Sequence, residues 1–180
     1  MKYTFTALLL FVSIITSPAQ PGRRLAPTTA LNYDWREGFV SITELTAAAG
    51  LSATESPMSA YYYGITSVAG WQFSRNLKAG GGAGVHIHNQ GILLPLFLDF
   101  RLSLNARELV PFIAGTGGVT IDPADIDASR VFINPSVGIR YVAANRKAVT
   151  LSAGVMVLAG SAYDRKSFIN VKLGAEFKKR

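Results

Sequence analysis

Between Ile92 and Leu104 the chain reads ILLPLFLDFRLSL, and alternate residues belong to two chemically opposite faces. One face carries Ile92, Leu94, Leu96, Leu98, Phe100, Leu102 and Leu104; the other runs into Asp99, Arg101 and Ser103. Side chains that alternate with period 2 over this length specify an extended strand, because successive Cβ atoms point to opposite sides of a sheet. A tilted strand of about ten residues is also long enough to cross the hydrocarbon layer of a membrane.

Seven further segments are read as strands of similar length. With the first, the eight expected strands are roughly Gly38–Leu51, Ala60–Ser74, Leu77–His88, Gly91–Leu104, Leu109–Asp122, Arg130–Ala144, Ala148–Tyr163 and Ser167–Phe177. No helix-period segment interrupts them, so the expected class is all-β. Arg75-Asn76, Asn105–Glu108 and Asn145–Lys147 are read as tight turns whose asparagines suit left-handed positions. Thr54–Ser59, Pro123–Ser129 and Asp164–Lys166 are read as looser loops on the opposite rim, with a tight Asn89-Gln90 turn beside them.

The N-terminus has an export pattern: a basic Lys2, an apolar run from Ala7 to Ile15 and a small-residue site at Ser17-Pro18-Ala19. Residues 1–19 are expected to be a secretory signal peptide, and residues 20–37 a polar periplasmic lead-in to a domain spanning 38–180. Cleavage after Ala19 takes Lys2 alone from the 18 basic and 11 acidic residues, leaving a net charge of +6. There is no cysteine, so an exported fold has to be held by hydrogen bonds and packing. Export also argues against nucleic acid as the target of the basic excess.

Past the signal, no run of about 18 apolar residues could form a spanning helix. Yet mean hydropathy is +0.25 and only 16% of residues are charged, sparse for a soluble surface. A closed antiparallel barrel reconciles the two, because its apolar residues fall at every second position. Alternation leaves two barrels open: a soluble calyx with its apolar face inside, or a membrane barrel with that face outside. Two features select the second. The polar face holds Gly64, Gly70, Gly80, Gly82, Gly84, Gly138, Gly154 and Gly174, which suits a cramped lumen. The apolar-face aromatics Phe39, Trp71, Phe73, Phe100, Tyr141 and Phe177 map to one rim, and Tyr61 and Tyr63 to the other, as interfacial girdles do. The expected fold is an antiparallel eight-stranded transmembrane up-and-down β-barrel.

The segments ITELTAAAGLS, YYYGITSVAGWQF, LPLFLDFRLSL, FINPSVGIRY and SFINVKLGAEFK, after a signal ending SPAQ, resemble the small bacterial outer-membrane β-barrel-domain proteins. The resemblance runs roughly from Gly38 to Lys178. It implies a monomeric OmpA/OmpX-like barrel, integral to the bacterial outer membrane, bounded by its lipids and inserted by the barrel-assembly machinery. The basic Lys178–Arg180 tail departs from a chain that ends on its final-strand aromatic.

Seven ionisable residues are expected inside: Glu44, Lys78, Asp99, Arg101, Arg140, Lys172 and Glu176. Three acids among four bases at similar depth suggest a salt-bridged plug, since a lone ion in a narrow lumen is costly. The rival reading is a selectivity ring or proton path in a narrow pore. His86 and His88 share the lumen face near the outer mouth and are expected to be lining residues, there being no third metal ligand at motif spacing. A lipid-modifying enzyme would need Ser52 or Ser59 beside His86. Asp122, Asp125 and Asp127 lack the spacing of a calcium loop and are read as solvated. Gly80-Gly81-Gly82 has no following helix, which excludes a phosphate loop. Arg75, Arg107, Arg146, Lys147 and Lys178–Arg180 form a basic inner rim suited to anionic headgroups. No cofactor, no metal and no enzymatic activity are expected; the expected role is structural.

Overall fold

The computed structural model describes residues 36–51, 58–104, 109–126, 129–144, 146–160 and 165–179. The expected signal peptide and the expected lead-in up to residue 35 lie outside these residues, as do Ser52, Arg107, Asp127 and Arg180. Eight strands form the domain: β1 (Gly38–Gly50), β2 (Tyr61–Gln72), β3 (Leu77–His88), β4 (Gly91–Ser103), β5 (Leu109–Ile121), β6 (Arg130–Ala144), β7 (Lys147–Ala159) and β8 (Arg165–Lys178). Each pairs antiparallel with its neighbours in sequence, and β1 closes on β8 from Val40↔Lys178 to Gly50↔Phe168. The ring leaves no free sheet edge, so all strands satisfy their backbone groups sideways. A strand of 13 residues such as β4 spans about 43 Å, and about 30 Å along the axis at a tilt of about 45°. That matches the apolar thickness of a bilayer.

The parity seen in the sequence becomes inside and outside. On β4, Leu96, Leu98, Phe100, Leu102 and Leu104 point out, while Leu93, Asp99, Arg101 and Ser103 are buried within. Outward rows on the other strands are apolar too, with Leu45, Val137 and Leu173 each more than half exposed. The girdle aromatics Phe39, Trp71, Phe100, Tyr141, Phe177, Tyr61 and Tyr63 are exposed within three residues of a strand end, and exposed Phe73 sits just past β2. β5, whose sequence does not alternate cleanly, turns Val110, Phe112, Thr116 and Thr120 inward.

Three expectations about the ends are corrected. β8 starts at Arg165, so Arg165 and Lys166 are not loop: they pair with Ala159 and Leu158, and Lys166 is buried inside. β7 stops at Ala159 instead of Tyr163. Lys178 is not a free tail residue. It ends β8 facing inward, and its ammonium donates to the Arg36 carbonyl.

The turn asparagines also act differently from expectation. Among the described residues the single non-glycine with positive φ is Met58, so neither Asn76 nor Asn89 occupies a left-handed position. Their side chains do the work instead. Asn76 Nδ2 donates to the Ser103 carbonyl at 2.7 Å, and Asn89 Oδ1 accepts from the Ala60 N–H at 3.3 Å. Ser74 Oγ closes the β2–β3 turn by accepting from the N–H groups of Asn76 and Leu77.

Candidate functional site

The lumen is built in two layers. The layer nearer the chain ends is ionic. Glu176 on β8 faces Lys78 on β3 across the barrel, with Lys78 Nζ 2.7 Å from both carboxylate oxygens. Arg140 on β6 approaches the same carboxylate through Nε (2.9 Å) and Nη2 (2.5 Å). A second group centres on Arg101, whose Nε donates to Asp99 Oδ2 at 2.7 Å while Nη1 lies 3.0 Å from Glu44 Oε1. Thr116 Oγ1 adds a hydrogen bond to Asp99 at 3.0 Å, and the Phe112 ring lies 5.7 Å below the guanidinium. Lys172 is buried within electrostatic reach of Glu44 and Asp99.

All seven sequence-named charges are buried in the lumen, six of them in two ion-paired groups, and each acid contacts at least one base. Burying an ion without a partner costs several kcal/mol, whereas forked, hydrogen-bonded pairs offset much of that desolvation. Room for these long side chains comes from glycine. A Cβ on Gly174 would stand 2.3 Å from Thr150 Oγ1 and 3.0 Å from Glu44 Cγ.

The layer nearer the opposite rim is apolar, and the sequence reading had not foreseen it. Tyr62, Leu93, Phe132, Met156, Leu158 and Phe168 form one buried cluster. A second cluster, Val40, Ile42 and Val68, lies nearer the chain ends, level with Glu176 and Lys78, and Phe97 packs against both. Gly82 makes space for the Phe97 ring: a Cβ there would meet the ring at 2.5 Å. Phe97 and Phe132 meet edge to face with centroids 6.2 Å apart.

His86 and His88 face the lumen at the outer end of β3, stacked on Tyr62 at 4.7 and 5.0 Å. The buried His86 Nδ1 atom has no hydrogen-bond partner. Among the described residues no group of three His, Cys, Asp or Glu is placed to hold a metal ion. Asp122 turns inward and spends Oδ1 on the Ala124 N–H at 2.9 Å, closing its own turn, while Asp125 is exposed.

Two small cavities lie among the described lumen residues. A cavity of about 10 Å³, the size of about one water, lies among Thr46, Thr66, His86, Thr116, Asn134 and Lys172. A second cavity of about 10 Å³ touches Val40, Val68, Lys78 and Asp99.

No family model matches the sequence, and no curated protein matches it. Solved structures do. The N-terminal β-barrel domain of Pseudomonas aeruginosa OprF aligns with a TM-score of 0.51 at 13% identity, covering 79% of this chain and all of that one. Neisserial surface protein A (NspA) aligns with a TM-score of 0.58 at 12% identity, covering 79% of this chain and 97% of that one. This is the fold of the small eight-stranded outer-membrane barrels. At such identities the OmpA/OmpX-like barrel fold is what is shared; the lumen described above belongs to this chain's own residues.

Proposed function

We propose that the chain is an integral outer-membrane protein whose barrel is sealed, serving a structural role in the envelope. The observation that carries this is the coincidence of an apolar exterior with a lumen packed along its length. Outward rows of Leu, Ile, Val and Phe would be a severe liability in water and match a hydrocarbon surround. Inside, the Glu176 and Arg101 ion groups and the Phe97–Phe132 contact occupy the centre. Eight strands enclose an interior that side chains fill. The partners that fit are outer-membrane lipids around a monomer and, during insertion, the barrel-assembly machinery, which would meet β8 with Phe177 facing outward.

A narrow pore is the competing reading, favoured by the polar lining of the ionic layer. The packing of Phe97, Phe132 and Leu93 opposes it, because these side chains take up the bore and the cavity beside them has room for about one water. Conductance of the mature protein in a planar bilayer decides the matter. A sealed barrel adds no discrete steps above leak. Sustained single-channel steps overturn the proposal.

A further inference from the structure

The outward wall is not uniformly convex. A groove of about 660 Å³ crosses β4 to β7, floored by Gly115 and Ala153 and walled by Phe100, Ile113, Val137 and Val155. Its volume falls within the range of pockets that take a small hydrophobic ligand. The hollow exists because small residues stand where neighbouring outward positions carry large ones. At Gly115 a Cβ would meet nothing within 4 Å. At one end the groove reaches Leu77 and Leu102, which pair across β3 and β4 at the rim holding both ends of the barrel. Arg75 stands exposed two residues before Leu77. Among the described residues that rim carries exposed Arg36, Arg75, Lys147 and Lys179 beside one exposed acid, Glu37.

We infer that the groove is a phospholipid site: it seats one acyl chain against Gly115 and Ala153 while the basic rim holds an anionic headgroup. Charge decides the occupant. A hydrocarbon chain running from mid-wall to Leu77 emerges at a cationic edge, where each basic side chain favours an anionic headgroup. A second copy of this chain would bring an equally basic rim to the same place and be repelled. The inference rests on the membrane reading above, with the terminal rim on the periplasmic side.

The test uses the mature chain folded into phosphatidylcholine vesicles doped with a phospholipid bearing a photoreactive group on its acyl chain, followed by peptide mapping. With a phosphatidylglycerol probe, label concentrates on peptides containing Gly115 and Ala153. Gly115→Leu, which fills the groove into open space, removes that concentration. Ala47→Leu, on the outward face of β1, leaves it intact. Replacing the probe by its phosphatidylcholine counterpart lowers groove labelling about fivefold, the worth of one basic side chain beside an anionic charge. Label spread evenly around the barrel, equal labelling by both headgroups, or crosslinks between two copies each overturn the groove. If the protein folds into the vesicles but labels evenly, only this inference fails. If it does not enter vesicles at all, as read from unboiled gel mobility, the membrane reading fails with it.

Discussion

Replacing Glu176 by glutamine removes one charge and almost no volume, and for that reason it separates ionic sealing from simple filling. The Glu176 side chain is 1% exposed and meets Lys78 and Arg140 through both oxygens, at 2.5 to 2.9 Å. In Glu176→Gln, one oxygen becomes an amide that donates toward two cations, and those cations lose their shared counter-ion. Breaking a buried pair from one side costs about 3–5 kcal/mol, because the remaining charge stays buried and uncompensated. Lys78→Met behaves differently, since Arg140 still neutralises the carboxylate with its fork. That loss is about 1.5–3 kcal/mol, the range for charge-assisted hydrogen bonds. The double variant should cost less than the sum of the two, by about 1–3 kcal/mol of coupling. Urea unfolding of the folded protein in lipid vesicles, followed by the fluorescence of Trp35 and Trp71 and by unboiled gel mobility, gives these values provided the slope with denaturant is constant. If Glu176→Gln lies within about 0.5 kcal/mol of wild type, or if Lys78→Met costs more than Glu176→Gln, the carboxylate is not the hub of the array.

Three other outcomes follow from the same packing. Gly82→Val places a side chain into the Phe97 ring and is expected to cost about 1–3 kcal/mol in the same unfolding assay, partly recovered by adding Phe97→Ala. Leu98→Arg, on the outward face in mid-strand, is expected to destabilise the vesicle-embedded barrel by about 2–4 kcal/mol; a change below about 0.5 kcal/mol would mean that this face does not meet hydrocarbon. Combining Phe97→Ala with Phe132→Ala removes the edge-to-face contact of the apolar layer, and planar-bilayer recordings should then show discrete steps absent from wild type. Silence from that double variant would assign the seal to the ionic layer alone.

Where one face is polar, parity reads directly from the sequence, and this covers most of the fold. Asp99, Arg101 and Ser103 on β4, and Asn170, Lys172 and Glu176 on β8, mark the interior because their neighbours are all apolar. The apolar layer was hidden for the opposite reason. Tyr62 sits between Tyr61 and Tyr63, Leu93 between Ile92 and Leu94, and Phe132 between Val131 and Ile133. With both faces apolar, hydrophobicity stops alternating and no longer reports direction. Extending the β8 parity recovers one member of that layer, Phe168: Lys166, Phe168, Asn170, Lys172, Glu176 and Lys178 share one inward row. Charge at the strand ends misled instead, since Lys166 and Lys178 read as loop and tail but turn into the barrel. The seven charges could be named from sequence because each was an ion on a strand's polar face. Which acid met which base was not legible, since Lys78 and Glu176 are brought together across the lumen by barrel closure. The outward groove could not be read from one strand either, because it forms where Gly115 and Ala153 come to lie on one wall of the closed barrel.

The central claim is directional: alternate residues meet lipid, and those between them meet a packed interior. The chain contains no cysteine, so single cysteines can be placed from Leu93 to Leu102 and spin-labelled after folding into vesicles. Collision rates with dissolved oxygen and with a water-soluble nickel chelate then report lipid and water contact position by position. Labels at 94, 96, 98, 100 and 102 should collide strongly with oxygen and weakly with nickel, while 93, 95, 97, 99 and 101 should be shielded from both. Strong nickel contact at the odd positions would reveal an open aqueous channel, and strong nickel contact at the even positions would place water where this account puts hydrocarbon.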